Sequence, residues 1–135
     1  MGVILALHRA THATLHALGT QLAGLDLAPP DINLLANLAG GGRRTVGALA
    51  AATATKPTTR TSALDRLARR GYVVRDVDPA DRRSFLISLT PGGEAAARTV
   101  AAAVGDLERQ ALAAVTEADV AGFHALIGAL TEVSP

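Results

Sequence analysis

The chain has 135 residues and a net charge of +1, with 49% hydrophobic residues, 2% aromatic ones and no cysteine. That length fits one domain with a real core, which the Ala-, Leu- and Val-rich composition makes aliphatic and helix-biased. Without cysteine there are no disulfides, thiolate metal sites or sulfenic-acid peroxide sensing. No stretch reaches the roughly 18 apolar residues of a membrane span, and the N-terminus lacks a signal peptide's basic start, so the chain reads as soluble and cytoplasmic.

Apolar residues at Ile4, Leu7, Leu15, Leu18, Leu22 and Leu25 recur at helical spacing and predict a first helix, broken by Pro29-Pro30. Ile32, Leu34, Leu35 and Leu38 continue as a short second helix, with Pro30 in its first turn and Gly40-Gly41-Gly42 ending it. Thr45 is placed to cap a third helix through Val46, Leu49 and Ala50. After a break near Ala54-Thr55, Pro57 opens a fourth helix that runs to Arg70 and stops at Gly71, a glycine of the kind that follows a helix C-terminus.

The period then changes. Tyr72–Arg75 and Ser84–Leu89 read as two strands around the polar loop Asp76–Arg83, which makes a two-stranded β-hairpin with a protruding tip. Thr90-Pro91 matches an N-cap followed by a first-turn proline and starts a long Ala-rich helix to about Val115. Thr116 to Asp119 resembles a capping box and starts a final helix ending near Val133. The expected fold is mainly α: a winged helix-turn-helix unit over residues 30–90, inserted between helical parts at 1–28 and 91–135.

Charge follows the same division. Residues 43–83 hold ten of the thirteen Lys and Arg against four acids, a net +6, while the rest carries three Arg against eight acids, a net −5. A charge run alone is as consistent with a solvated face as with a phosphate-binding surface. Its coincidence with a helix-turn-helix and hairpin favours DNA. A recognition helix contacts base edges from its N-terminal residues, here Lys56, Thr58, Thr59, Arg60 and Ser62, while Ala63, Leu64, Leu67 and Ala68 face the third helix. In the wing, Arg82 and Arg83 suit a minor groove, whose negative potential attracts Arg.

Residues Thr45 to Gly93 resemble the MarR (multiple antibiotic resistance regulator) family of bacterial transcription factors. The resemblance is carried by Leu49-Ala50, by Pro57-Thr58-Thr59-Arg60-Thr61, by Leu64-Asp65-Arg66-Leu67-Ala68-Arg69-Arg70-Gly71-Tyr72-Val73, and most specifically by Asp78-Pro79-Ala80-Asp81-Arg82-Arg83 followed by Leu86-Ile87-Ser88-Leu89-Thr90-Pro91-Gly92-Gly93. It implies a homodimer interlocked through the first and last two helices, acting not as an enzyme but as a repressor on a pseudo-palindromic operator with half-sites about one helical turn apart. It also implies that Asp81 and Arg75 support the wing, Asp81 by pairing with a nearby Arg, and that Arg82 reaches the minor groove. A small, often aromatic acid between the two parts is the implied effector. The chain departs from the family at Arg60, usually apolar, at Ser62, often Arg, at Lys56, usually a Ser or Thr cap, and at Thr53 and Thr55, usually leucines.

His8, His12 and His16 form one stripe of the first helix, a pattern open to three readings: a divalent-metal chelate, a titrating stripe, or polar positions beside an interface. For an effector pocket the candidate polar residues are His8, Arg9, His12, His16 and Asn33. No metal or cofactor is assigned. No Gly-x-Ser-x-Gly elbow, Gly-rich phosphate loop or carboxylate dyad supports an enzyme. The rival classes are a helical dimeric small-molecule or metal sensor with weak or degenerate DNA binding and a protein-interaction module. Neither needs the basic segment.

Overall fold

The computed structural model describes residues 2–53 and 55–133, so Ala54 in the expected break before the fourth helix lies outside the described residues. Helix α1 spans Val3–Gln21 and is followed by a short 3-10 turn at Ala23–Leu25; α2 spans Pro29–Leu38, β1 Arg44–Thr45, α3 Val46–Thr53 and α4 Pro57–Arg69. Strands β2 (Val73–Asp78) and β3 (Asp81–Leu89) lead into α5 (Pro91–Leu112) and α6 (Glu117–Glu132).

The core sits where α2, α3, α4, β3 and α5 meet. Leu34, Leu35 and Leu38 of α2, Leu49 of α3, Leu67 of α4, Ile87 of β3 and Val100 of α5 are all fully buried there. Each is one position of a helical or alternating pattern, so one apolar face per element closes the core. Helices α1 and α6 differ: neither contains a buried residue. Val3, Ile4 and Leu5 of α1, Leu112 and Val115 at the α5–α6 turn, and Phe123 and Leu126 of α6 are exposed.

Local punctuation sets the helix ends. Gly71, at φ 76°, ends α4, with the Gly71 N–H donating to the Ala68 carbonyl and the Tyr72 N–H to the Leu67 carbonyl. This is the paired closure that a left-handed residue after a helix allows. Thr90 caps α5, its Oγ1 accepting from the Gly93 N–H at 2.9 Å. Thr116 and Asp119 form a reciprocal capping box at the start of α6.

The sheet corrects two expectations. It has three strands in the order β1-β3-β2, with Arg44 opposite Ile87 and Thr45 opposite Leu86, rather than a hairpin alone. The wing strands are also longer than propensity indicates. Asp76 to Asp78 and Asp81 to Arg83 belong to strands, leaving only Pro79-Ala80 as the turn. Cross-strand hydrogen bonding carries these charged residues because the hairpin projects into water, where their side chains stay solvated. Among the described residues no single helix is long and apolar enough to cross a membrane.

Candidate nucleic-acid interface

Helix α4 presents two faces. Ala63, Leu64 and Leu67 are buried against the core, while Lys56, Thr58 and Ser62 are exposed and Thr59 is half-buried. Lys56 is the N-cap in extended conformation but makes no side-chain capping bond, and Pro57 takes the first helical position, so the helix starts at the expected residue. The first-turn N–H groups of α4 are left without a capping side chain, a polarity suited to a phosphate.

Arg60 is half-buried, and its Nη1 donates back to the Thr55 carbonyl at 3.3 Å. Where leucines are usual, Thr53 Oγ1 donates to the Leu49 carbonyl at 2.7 Å and lies 3.1 Å from Thr55 Oγ1. These threonines satisfy each other and the backbone, so the polar substitutions leave no buried side-chain atom unpaired among the described residues. Arg60 thus braces the segment before its own helix with one nitrogen and keeps the rest of its fork available.

Three arginines of the basic segment hold the scaffold. Arg66 donates through Nε and Nη2 to the carboxylate of Asp31 on α2, which is 2% exposed. That hydrogen bond raises the Arg66 pKa above its ordinary value against an opposing desolvation cost, and the Asp31 charge adds to the rise. Arg70 donates to the carbonyls of Leu25 and Asp26 at 2.6 and 2.7 Å and lies over the Tyr72 ring. Arg75 on β2 pairs with Asp65 on α4 at 2.9 Å and ties the wing to α4.

Arg82 and Arg83 are exposed on the first residues of β3, where strand alternation sends them to opposite faces of the wing. Asp81 differs from its expected role. Its Oδ1 accepts from the Arg83 N–H at 3.1 Å and its Oδ2 from the Ser84 hydroxyl at 3.4 Å, so it braces the wing through the backbone instead of through an Arg side chain. A two-residue turn leaves this carboxylate beside the following N–H, which is a nearer donor than any guanidinium on the neighbouring strand. Asp78 accepts from the Ala80 N–H at 2.9 Å on the other side of the turn.

A groove of about 490 Å³ between α1, α2 and α5 is lined by Thr11, Leu15, Pro30, Asn33, Thr55 and Val104 among others. Of the expected effector residues only Asn33 lines it. His8, Arg9, His12 and His16 are exposed outside it: Arg9, His12 and His16 are rotated away from the groove face of Thr11, Leu15 and Leu18, at about 100° per residue, while His8 follows the direction of Leu15 but sits about two turns nearer the N-terminus, beyond the groove. Thr11 was recognisable in the sequence, four residues from both Leu7 and Leu15 on the apolar stripe. Asp31 was also overlooked, although an acid within an apolar helix needs a cationic partner.

A profile of the MarR family matches residues 25–84. No curated protein matches the chain in sequence. Among solved structures, a probable transcriptional regulator from Pseudomonas aeruginosa is 28% identical with a TM-score of 0.75, covering 96% of each chain. Wild-type apo MarR from E. coli is 27% identical with a TM-score of 0.71, covering 100% of this chain and 98% of its own. BpsR of Bordetella bronchiseptica, whose DNA binding is regulated by 6-hydroxynicotinic acid, is 22% identical with a TM-score of 0.81, covering 98% and 95%, and is similar in fold. With the helix-turn-helix, the three-stranded winged sheet and the flanking helices all in place, the chain is similar in fold to MarR-family transcription regulators, and its residues 25–84 match that family's profile.

Proposed function

We propose that the protein is a homodimeric repressor that binds a pseudo-palindromic operator in the cytoplasm. The observation that carries this reading is the exposed, polar N-terminal face of α4 next to a projecting wing with Arg82 and Arg83, both fixed to one scaffold by Arg66 and Arg75. Lys56, Thr58, Thr59 and Ser62 read the major groove, the free part of the Arg60 fork meets a phosphate, and the wing arginines take the minor groove or backbone. The apolar surfaces of α1 and α6 support dimerisation, since isolated chains seldom leave two helices without a buried residue.

The groove beside Thr11, Asn33 and Thr55 is the effector site in this reading. Its polar lining is neutral among the described residues, which suits a small, mostly uncharged ring compound bound by amide and hydroxyl groups. Binding there alters the spacing of the two winged units. Selection of genomic fragments by the purified protein, followed by footprinting with and without candidate effectors, tests all of this. Two protected half-sites about one helical turn apart are expected; retention of no fragment above a non-specific background would refute the reading.

A further inference from the structure

We propose that α1 carries a surface chelate for a divalent transition metal, formed by His12 together with either His8 or His16. All three histidines are exposed on one uninterrupted helix. Their four-residue spacing stacks successive imidazoles on one stripe with β-carbons about 5–6 Å apart. Two metal–nitrogen bonds of about 2.0–2.1 Å span that gap, and the same spacing supplies two ligands in helical zinc motifs.

Within the single chain these rings have no competing partner. None of the three makes a hydrogen bond, ion pair or ring contact among the described residues. The only charged residue of α1 is Arg9, so no carboxylate on that helix competes for the imidazoles as a salt-bridge partner. His124 belongs elsewhere: it packs edge-on to Phe123 on α6 and lines the α5–α6 groove.

Geometry sets the stoichiometry. No cluster of three or more metal-ligating side chains converges among the described residues. His8 and His16 are two turns apart, about 12 Å along the axis, too far to share an ion. His12 therefore belongs to both candidate pairs, and one ion per chain is bound with water completing its coordination. Two neutral imidazoles select zinc, nickel or copper over magnesium or calcium, which prefer oxygen ligands.

The test is calorimetric titration of the untagged full-length protein with ZnCl2 and, separately, NiCl2. One equivalent per chain is expected for the wild type and none for His12→Ala or for the double variant His8→Ala/His16→Ala. At least one of the single variants His8→Ala and His16→Ala keeps the equivalent. Circular dichroism checks that these surface changes leave the helices intact. Absence of saturable binding in the wild type, persistence in His12→Ala, or loss in both flanking single variants would overturn the chelate. None of these readouts depends on DNA, so their outcome is separate from that of the operator experiment.

Discussion

The fork of Arg66 closes on the carboxylate of Asp31, with Nη2 2.8 Å from Oδ1 and Nε 3.2 Å from each oxygen. Asp31 also accepts from the Ala28 N–H at 3.4 Å, so one buried acid joins the start of α2 to α4. Replacing Arg66 by Ala strands that acid in the core. A fully buried pair would lose about 3–5 kcal/mol; because the Arg66 side chain is 38% exposed, we expect about 2–3 kcal/mol after discounting for solvent. Urea unfolding of Arg66→Ala, Asp31→Ala and the double variant measures it, and the double variant should lose clearly less than the sum of the singles.

Two adjacent glycines should respond to alanine with opposite signs. A β-carbon at Gly93 would overlap the Tyr72 carbonyl, whereas one at Gly92 meets only ordinary contacts at 3.8 Å. Gly93→Ala is expected to lose about 3 kcal/mol, since the obstacle is backbone and has no rotamer to change. Gly92→Ala should gain about 0.4–1 kcal/mol by restricting the unfolded chain. Thermal melts of the two variants decide the matter.

Replacing Arg82 by Ala should weaken operator binding by about 1–3 kcal/mol and reduce the salt dependence by about one phosphate contact. Arg70→Ala is the contrasting case. It loses the bonds to the Leu25 and Asp26 carbonyls, at about 1–2 kcal/mol of stability, but should leave the salt slope unchanged. Fluorescence anisotropy over a salt series, paired with thermal melts, separates the two behaviours; a wild-type slope in Arg82→Ala would remove that residue from the interface.

Acid should loosen the start of α6. The backbone hydrogen bond from Thr116, followed by its side-chain bond, holds the Asp119 carboxyl below its usual pKa. A depressed folded pKa stabilises above the unfolded value of about 3.9 and is lost as the pH drops through the lower, folded one. Amide exchange at Thr116 and its neighbours should accordingly accelerate below about pH 4, and Asp119→Ala should show fast exchange there already at neutral pH.

The helices were legible in the sequence because their signals are local: Thr90-Pro91, the Thr116–Asp119 box and Gly71 each act within one turn. The wing boundaries were not. Asp76, Asp78 and Asp81 have low strand propensity, and only pairing with a partner strand makes them extended. Strand β1 is two residues long and has no periodicity to detect. At the interface, the exposed α4 and wing residues follow from the motif, but the pairing of Asp31 with Arg66, 35 positions away, depends on how α2 and α4 cross. The histidine spacing revealed a shared stripe but not its direction, which the rotation of α1 against α5 decides.

The order of strands in the sheet also dictates a chronology. Strand β3 is the middle strand but the last made, so β1 and β2 each wait for it, and Arg44 meets Ile87 only after about 40 further residues have been synthesised. A nascent chain that stops before β3 holds a helix-turn-helix with no sheet to fasten it. The surface formed by α4 and the wing is thus completed late, and a polypeptide truncated before β3 should remain open to proteases until it is destroyed.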